Sequence, residues 1–461
     1  MDQSPRDVIV VGGGISGLTV AWHLARAGVG VTLLEADHEV GGCMRSEHRD
    51  GFLLEKGPFN VIVRDESFEE LLTSLSDQVQ VVAASKAARA RYIYRNGRLI
   101  RVPTNPAALV SSPLLSFEAK CRLLRGVLAS RRGSDADYTI EDFAVRRLGQ
   151  EVSDTLVSAA IAGILAGDIR KLSLRACFPS IWSFDRRARS PLAYALGTPF
   201  RKKKGGKRSR RWRGLVSIDR GLGALAEAAG KDLGEGLVTG CRVEALSLRD
   251  NGFGLTCVDD GGAARSWSCR RLVMALPAAD AGRLLGTHLP EVGSILDSIV
   301  SAPLVVLNLA FKAPDVGHPM QGFGFLVPHN EPDFPLMGVL WADSAFPHHG
   351  RVGHRLIRVF IGGTRTPEVL SRSDDELLAT ASGALRELLQ ITGEPTLVDV
   401  CRYPAAIPQY HLGYVEKIER LRAAASSVNG LHLAGNYLEG VSINDCVRLG
   451  RRVAREIIDA R

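Results

Sequence analysis

The stretch Val8-Ile-Val-Val-Gly-Gly-Gly-Ile-Ser-Gly17 decides the fold of this 461-residue chain. Four β-branched apolar residues, 8–11, suit a short strand buried on both faces. They run straight into Gly12, Gly13, Gly14, Ile15, Ser16 and Gly17, after which Leu18 to Ala27 reads as a helix ending at Gly28. Val31 to Glu35 reads as a second strand. The unit is therefore strand, turn, helix, strand, with GxGxxG at positions 12, 14 and 17. The first glycine permits the tight turn, the second lets a pyrophosphate approach the backbone, and the third lets helix and strand pack closely. Free N–H groups at the helix start then receive the phosphate charge. Glu35, 23 residues after Gly12, is placed to accept hydrogen bonds from a ribose 2′-OH and to repel a 2′-phosphate. A dinucleotide is the expected ligand.

Working outward, Gly41-Gly-Cys-Met-Arg45 sets small residues and a basic side chain just beyond that acid, and Glu55-Lys-Gly-Pro58 follows. This resembles the extended flavin fingerprint of the amine-oxidase superfamily. In that pattern Arg45 contacts phosphate and Gly57-Pro58 lines the flavin, which points to FAD rather than NAD. At the far end Leu431-His-Leu-Ala-Gly-Asn436 reads as a strand and turn, and Gly440-Val-Ser-Ile-Asn-Asp-Cys446 opens a helix to about Ile457. Such a helix aims its positive end at the flavin pyrimidine edge, where negative charge develops on reduction. The chain begins and ends in one domain, so the substrate-binding parts are inserted between its strands.

Size and composition set wider bounds. The length exceeds what one core usually serves, so two or three domains are expected. Eight cysteines are scattered without a CxxC pair, which argues against a disulfide framework and a zinc site and fits a reducing compartment. The N-terminal residues show no signal-peptide pattern. The longest nearly apolar run, Leu156 to Gly167, is too short to span a bilayer. The formal charge of +8 owes its excess to one run, Arg201 to Arg213; without it the chain is close to balanced. That run reads as a solvated loop or as a patch for a membrane surface or anions, and it is no evidence for a nucleic-acid enzyme.

Five further blocks resemble the FAD-dependent, haem-biosynthetic protoporphyrinogen oxidase family. They are Gly440–Cys446; Gly322–Pro328 with Leu340–Pro347; Tyr92–Leu99 with Val102-Pro103; Ala166–Asp168 with Leu172-Ser173 and Phe178-Pro179; and Pro408-Gln-Tyr410 with Gly413. The resemblance covers nearly the whole chain. Where some family members carry a tryptophan after the double glycine, Cys43 stands here. No cysteine occupies the Ala434-Gly-Asn436 turn used for covalent attachment, so the FAD is expected to be non-covalent.

The resemblance implies an α/β and α+β protein. Its parts are a Rossmann-like FAD domain built from discontinuous segments (1–88, 214–284, 422–461), a substrate domain with an antiparallel sheet (89–103, 186–213, 285–421), and a helical, membrane-contacting domain (104–185). The residues point the same way. Helical patterns at 104–185 are broken by Pro106 and Pro113. Cys241–Leu246 and Arg271–Pro277 read as strands of the flavin domain, and 303–311 and 356–362 as strands of the substrate domain. The cofactor set implied is Gly12, Gly13, Gly14, Ile15, Ser16, Gly17, Glu35, Ala36, Gly42, Cys43, Arg45, Gly57, Pro58, Phe59, Asn60, Val243 (towards adenine), Gly435, Asn436, Val441, Ser442 and Ile443.

The reaction implied takes six electrons from a cyclic tetrapyrrole in three rounds, with hydride passing to flavin N5 and O2 reoxidising the flavin to give H2O2. It calls for placement more than for a protein acid or base, and the sequence offers no Ser-His-Asp or paired-carboxylate constellation. The substrate joins propionate anions to a wide apolar ring, so its pocket pairs aliphatic walls with an arginine. By resemblance Arg91 pairs a propionate, Gly167 faces the tetrapyrrole with its backbone, and Leu326 and Phe360 clamp the ring. No metal is implied. The partners implied are a porphyrinogen, O2, a membrane touched peripherally and a second copy of the chain, without nucleic acid, and the location is the cytoplasm or the inner face of the cell membrane. Leu114, Leu115 and Phe117, beside Lys120, Arg122 and Arg125, read either as an amphipathic surface or as a helix buried against its own domain. Coproporphyrinogen III, with propionates where protoporphyrinogen IX has vinyls, is the alternative substrate. A flavin amine oxidase or carotenoid desaturase is a further alternative.

Overall fold

Strand β1 (Arg6–Val11), helix α1 (Ile15–Arg26) and strand β2 (Val31–Leu34) form the N-terminal unit, with β1 and β2 parallel from Val8 opposite Val31 to Val11 opposite Leu34. The helix starts three residues earlier than its apolar periodicity suggests, because Ile15 to Gly17 are already its first turn. Only glycine fits there: a Cβ on Gly17 would lie 2.0 Å from the Gly12 carbonyl oxygen. The computed structural model describes residues 6–126, 136–187, 211–212 and 214–461. Residues 201–210 and 213 of the basic run lie outside the described residues.

The chain divides into two units, Met1–Ala84 with Arg210–Val300 and Glu416–Arg461, and Ser85–Ser209 with Ser301–Val415. In the first, a parallel sheet runs from Leu237–Val238 through β2 and β1 to Ala264–Met274 and Leu431–Leu433. The strand Ala264–Met274 changes partner part-way along. Its first half pairs antiparallel with Gly252–Asp259, which pairs in turn with Cys241–Arg249, and its second half lies between β1 and the C-terminal strand. The helix Ile443–Asp459 packs on α1, and Gly450 makes this possible: a Cβ there would meet Thr19 Cβ at 2.9 Å and the Ser16 carbonyl at 3.0 Å.

The second unit holds a seven-stranded sheet ordered Leu397–Pro408, Ser301–Lys312, His354–Gly362, Gly338–Trp341, Gly324–Leu326, Tyr92–Arg95, Arg98–Arg101. All pairs are antiparallel except Gly324–Leu326 with Tyr92–Arg95. One face packs on helix Asp374–Leu389 through Leu377, Ala381, Leu385 and Leu389 against alternate strand residues Val305, Leu307 and Leu309, and Ile357, Val359 and Ile361. The other face receives the helical segment through Ala159, Ala162 and Ala166.

One detail of that helical segment differs from the sequence expectation, and a second bears on the two readings of Leu114, Leu115 and Phe117. Pro106 does not break a helix; it stands at the first position of helix Pro106–Ser111, where its missing N–H costs nothing, with Asn105 capping the Ala108 N–H at 2.8 Å. Leu114 and Leu115 are buried in small apolar clusters with Ala159 and Val152 of their own unit, while Phe117 is 82% exposed. The apolar run from Leu156 enters helix Ser158–Leu165 and ends on Ala166 in a left-handed conformation. Among the described residues no helix is long and apolar enough to cross a membrane.

Candidate active site

The first unit gathers the glycine turn and the segments predicted to join it. Gly12 has φ +106°, and a Cβ there would press on the Ala275 carbonyl at 2.7 Å. Gly13 donates its N–H to Glu35 Oε2 at 2.5 Å, and the other carboxylate oxygen accepts from the Asp37 N–H at 2.9 Å. Glu35 is therefore buried and pinned by two backbone donors, with lone pairs left for a further donor such as a hydroxyl. The Gly41 N–H donates to the Gly13 carbonyl at 2.8 Å, and a Cβ on Gly42 would sit 3.3 Å from Gly14 Cα. A Cβ on Gly57 would meet the Cys43 carbonyl at 2.2 Å, so Gly57 and Pro58 lie under the same loop. Ala36 and Asn60 are half-buried, Phe59 is buried, and Cys43 is exposed.

Arg45 pairs with Asp37 and reaches the Glu39 carbonyl at 3.4 Å. The Cys241 N–H donates to the Glu35 carbonyl at 2.9 Å, which brings Val243 to the same edge as the acid. At the C-terminal side Ser442 caps its helix by accepting from the Asp445 N–H, with Val441 and Ile443 flanking it half-buried. Gly440 has φ +137°, and a Cβ there would strike Asp445 Oδ2 at 2.5 Å. Cys446, buried against Ser16, has its thiol pushed up to about 12 by burial, with the Ser16 hydrogen bond opposing. Gly435 is buried beside the Tyr437 ring, and Asn436 is half-buried.

One residue in this region was read only as part of a motif. Asn444 is buried; its Oδ1 accepts from the Arg64 and Asp65 N–H groups at 3.0 and 3.3 Å, and its Nδ2 donates to the Ile62 carbonyl at 3.0 Å. It ties the start of the C-terminal helix to the segment following Asn60.

These residues fit a dinucleotide. Helix α1 begins at Gly14 with no side-chain cap and no acid in its first turn, so its end is left for an anion. Gly14 has nothing within 4 Å of where its Cβ would be, which leaves the approach to that helix end open.

In the second unit two of the predicted substrate residues, Leu326 and Phe360, lie in one row on one sheet face. Leu326 lies opposite Gly338, Gly338 opposite Phe360, Phe360 opposite Val306, and Val306 opposite Cys401. Ile93 extends the row on the far side of Leu326. Gly338 thus separates Leu326 from Phe360 by two strand spacings, about 10 Å. Leu326 leans over that glycine: a Cβ on Gly338 would be 2.9 Å from Leu326 Cδ2, and one on Gly163 would be 2.6 Å from it. Both walls are half-buried, with Leu326 beside Ile93, Leu114 and Ala159, and Phe360 beside Ala162, Ala166 and Met337.

Arg91 is exposed just before strand Tyr92–Arg95. Its guanidinium lies 5.4 Å from the Phe323 ring centroid. Gly167 follows the left-handed Ala166 and abuts Gln409, whose Nε2 donates to the Leu165 carbonyl at 2.8 Å. Asp168, next along, is committed to Arg170 through both carboxylate oxygens. Burial raises its carboxyl pKa, but the Arg170 bonds outweigh this and hold it below the ordinary value. Sequence reasoning quoted Gln409 as part of Pro408-Gln-Tyr410 without a role, and did not single out Arg365.

The family model described as flavin containing amine oxidoreductase matches residues 15–458. The coproporphyrinogen III oxidase of Bacillus subtilis (strain 168) is 28% identical over 99% of this chain and 99% of its own length. The protoporphyrinogen oxidase of Bos taurus is 31% identical over 98% of each chain. A solved structure from Exiguobacterium sp. 255-15 covers 100% of both chains with a TM-score of 0.82 at 24% identity, which shows a shared fold.

Proposed function

The chain belongs to the family of flavin containing amine oxidoreductases, with FAD as its cofactor, and from that premise we propose that it oxidises a porphyrinogen to a porphyrin in haem biosynthesis. The observation that carries this reading is the row Leu326–Gly338–Phe360, with Arg91 just before the strand of Ile93 that flanks it and the Gly167 loop beside it. A flat apolar macrocycle needs two hydrophobic walls and little polar recognition between them, and its carboxylates need a guanidinium at the rim. Relatives over the full length of the chain that are named for these two porphyrinogens support it.

The substrate loses six electrons and six hydrogens in three two-electron rounds, and three O2 leave as three H2O2. FAD supplies the hydride-accepting chemistry when bound, held without a covalent link. The chain's own residues bind and orient. Glu35 holds a ribose hydroxyl, the uncapped start of α1 and Arg45 hold phosphate, and Ser442 and Ile443 present a helix start to the flavin ring. Leu326 and Phe360 fix the plane of the macrocycle, and Arg91 fixes one edge of it. Protoporphyrinogen IX is the substrate proposed first. Coproporphyrinogen III is the second reading, since the bacillus enzyme named for it matches the chain end to end, as the bovine protoporphyrinogen oxidase also does. Peripheral membrane contact and pairing of two copies are part of the proposal for the cellular setting.

The test offers purified protein both porphyrinogens in air and follows porphyrin fluorescence, flavin absorbance and H2O2. Turnover of either supports the reading, and kcat/KM ranks them. Absence of turnover with both, by protein that carries its flavin, overturns it.

A further inference from the structure

Arg365 follows strand His354–Gly362 through a Gly362-Gly363 turn in which both residues have positive φ, 114° and 69°. The turn is locked onto the Gly167 loop. The Thr364 N–H donates to the Ala166 carbonyl at 2.9 Å, and a Cβ on Gly363 would lie 2.7 Å from that same oxygen. The guanidinium so placed is underused. Its Nη2 makes one long bond of 3.5 Å to the Val327 carbonyl, and its Nη1 is buried with no acceptor among the described residues. Burial lowers its pKa, Asp168 opposes this, and Arg170 adds to it, yet Arg170 already holds both oxygens of Asp168. An arginine keeps its charge in such a place, and a partly desolvated guanidinium with one nitrogen left without an acceptor is a site for a carboxylate.

Its position relative to Arg91 gives that site a meaning. Strands Tyr92–Arg95, Gly324–Leu326 and His354–Gly362 all run in one direction, the first two paired in parallel and the third related to the second by two antiparallel steps. Arg91 precedes the row of Ile93, Leu326 and Phe360, stacked by Phe323. Arg365 follows the row, against Val327. The two cations therefore flank the apolar row at opposite ends. Protoporphyrinogen IX carries its two propionates on one edge and vinyls on the opposite edge, whereas coproporphyrinogen III carries propionates on both.

We propose that Arg365 binds a substrate carboxylate on the macrocycle edge opposite Arg91 when the substrate carries one there, so that it lowers KM for a tetracarboxylate porphyrinogen relative to a dicarboxylate one without deciding which of the two the cell supplies. The assignment rests on the reading of the chain as a porphyrinogen oxidase.

The test uses flavin-loaded wild-type enzyme and Arg365→Gln, with KM and kcat measured separately for both porphyrinogens. Removing one charge-assisted bond is expected to raise KM for coproporphyrinogen III about 10-fold more than for protoporphyrinogen IX, with kcat changing little. Should Arg365→Gln lose its flavin, Arg365→Met, which keeps the apolar stem, is read in the same way. An unchanged ratio of the two KM values in a flavin-loaded variant overturns the role of Arg365 while the function stands. Failure of the flavin-loaded wild type to oxidise either substrate overturns the function, and Arg365 with it.

Discussion

Gln409 and Gly167 are locked against each other: the Gln409 Nε2 donates to the Leu165 and Ile407 carbonyls at 2.8 and 3.0 Å, which turns its Oε1 onto the point where Gly167 would carry a Cβ, 2.3 Å away. Because both amide protons are committed, the side chain cannot flip without setting its oxygen against two carbonyls. Leu172 Cδ1 closes the other side at 2.8 Å.

Gly167→Ala should therefore displace the loop or Gln409, at a cost of about 1–3 kcal/mol of overpacking. Since the loop stands beside Phe360 and Arg365, kcat/KM for the better porphyrinogen is expected to fall about 10-fold, with flavin content unchanged. Gly167→Ala/Gln409→Ala should recover part of the loss, because the clashing oxygen is gone. Full activity of Gly167→Ala would remove this loop from the substrate site.

Arg91 is exposed, with an aromatic face rather than an acid beside it, so its removal costs the fold little. Arg91→Ala should raise KM for both porphyrinogens by about 10-fold and leave the flavin spectrum as it is. An unaltered KM for both would take Arg91 out of the site.

Glu35 joins two backbone donors, those of Gly13 and Asp37, to the position of the ribose. Glu35→Ala strands both N–H groups at about 1–3 kcal/mol each and removes the ribose acceptor. The protein is expected to purify with less than about half the flavin of wild type, read from the ratio of flavin to protein absorbance, and Glu35→Gln should retain more. A fully yellow Glu35→Ala protein would count against the assignment.

How far the sequence could be read depended on whether a constraint was local. Gly12, Gly14 and Gly17 were legible because their spacing around one turn forms a fixed pattern, and Glu35 because its distance along one strand–helix–strand unit is fixed. Leu326 and Phe360 came from resemblance alone. Their shared row depends on registers across three strands 34 residues apart in sequence, which no local pattern encodes. Leu114 and Leu115 show the same limit, since helical periodicity gives an apolar face but not what covers it. Arg365 had no local signal beyond the two glycines before it; that its Nη1 has no acceptor among the described residues emerges only once Asp168 is seen to be taken by Arg170.

His23 provides a test of stability against pH. It lies in α1 edge-on to Trp22 at 4.9 Å, with Nε2 buried and no acceptor among the described residues. Burial lowers its pKa from 6.5 to about 4, with Glu70 opposing and Arg451 and Arg26 adding to the fall. Above pH 6.5 the ring is neutral in both the folded and the unfolded chain, and the full stability is present. Between pH 6.5 and about 4 the unfolded chain takes up a proton that the folded chain refuses, so stability falls as pH falls through this window. Burial also lowers the pKa values of His318 and His432, and they act in the same direction. The melting temperature should therefore drop from pH 7 to pH 4.5 in the flavin-loaded protein. His23→Gln should melt lower at pH 7 but with a shallower dependence on pH, and a slope parallel to wild type would show that His23 is not the group held neutral.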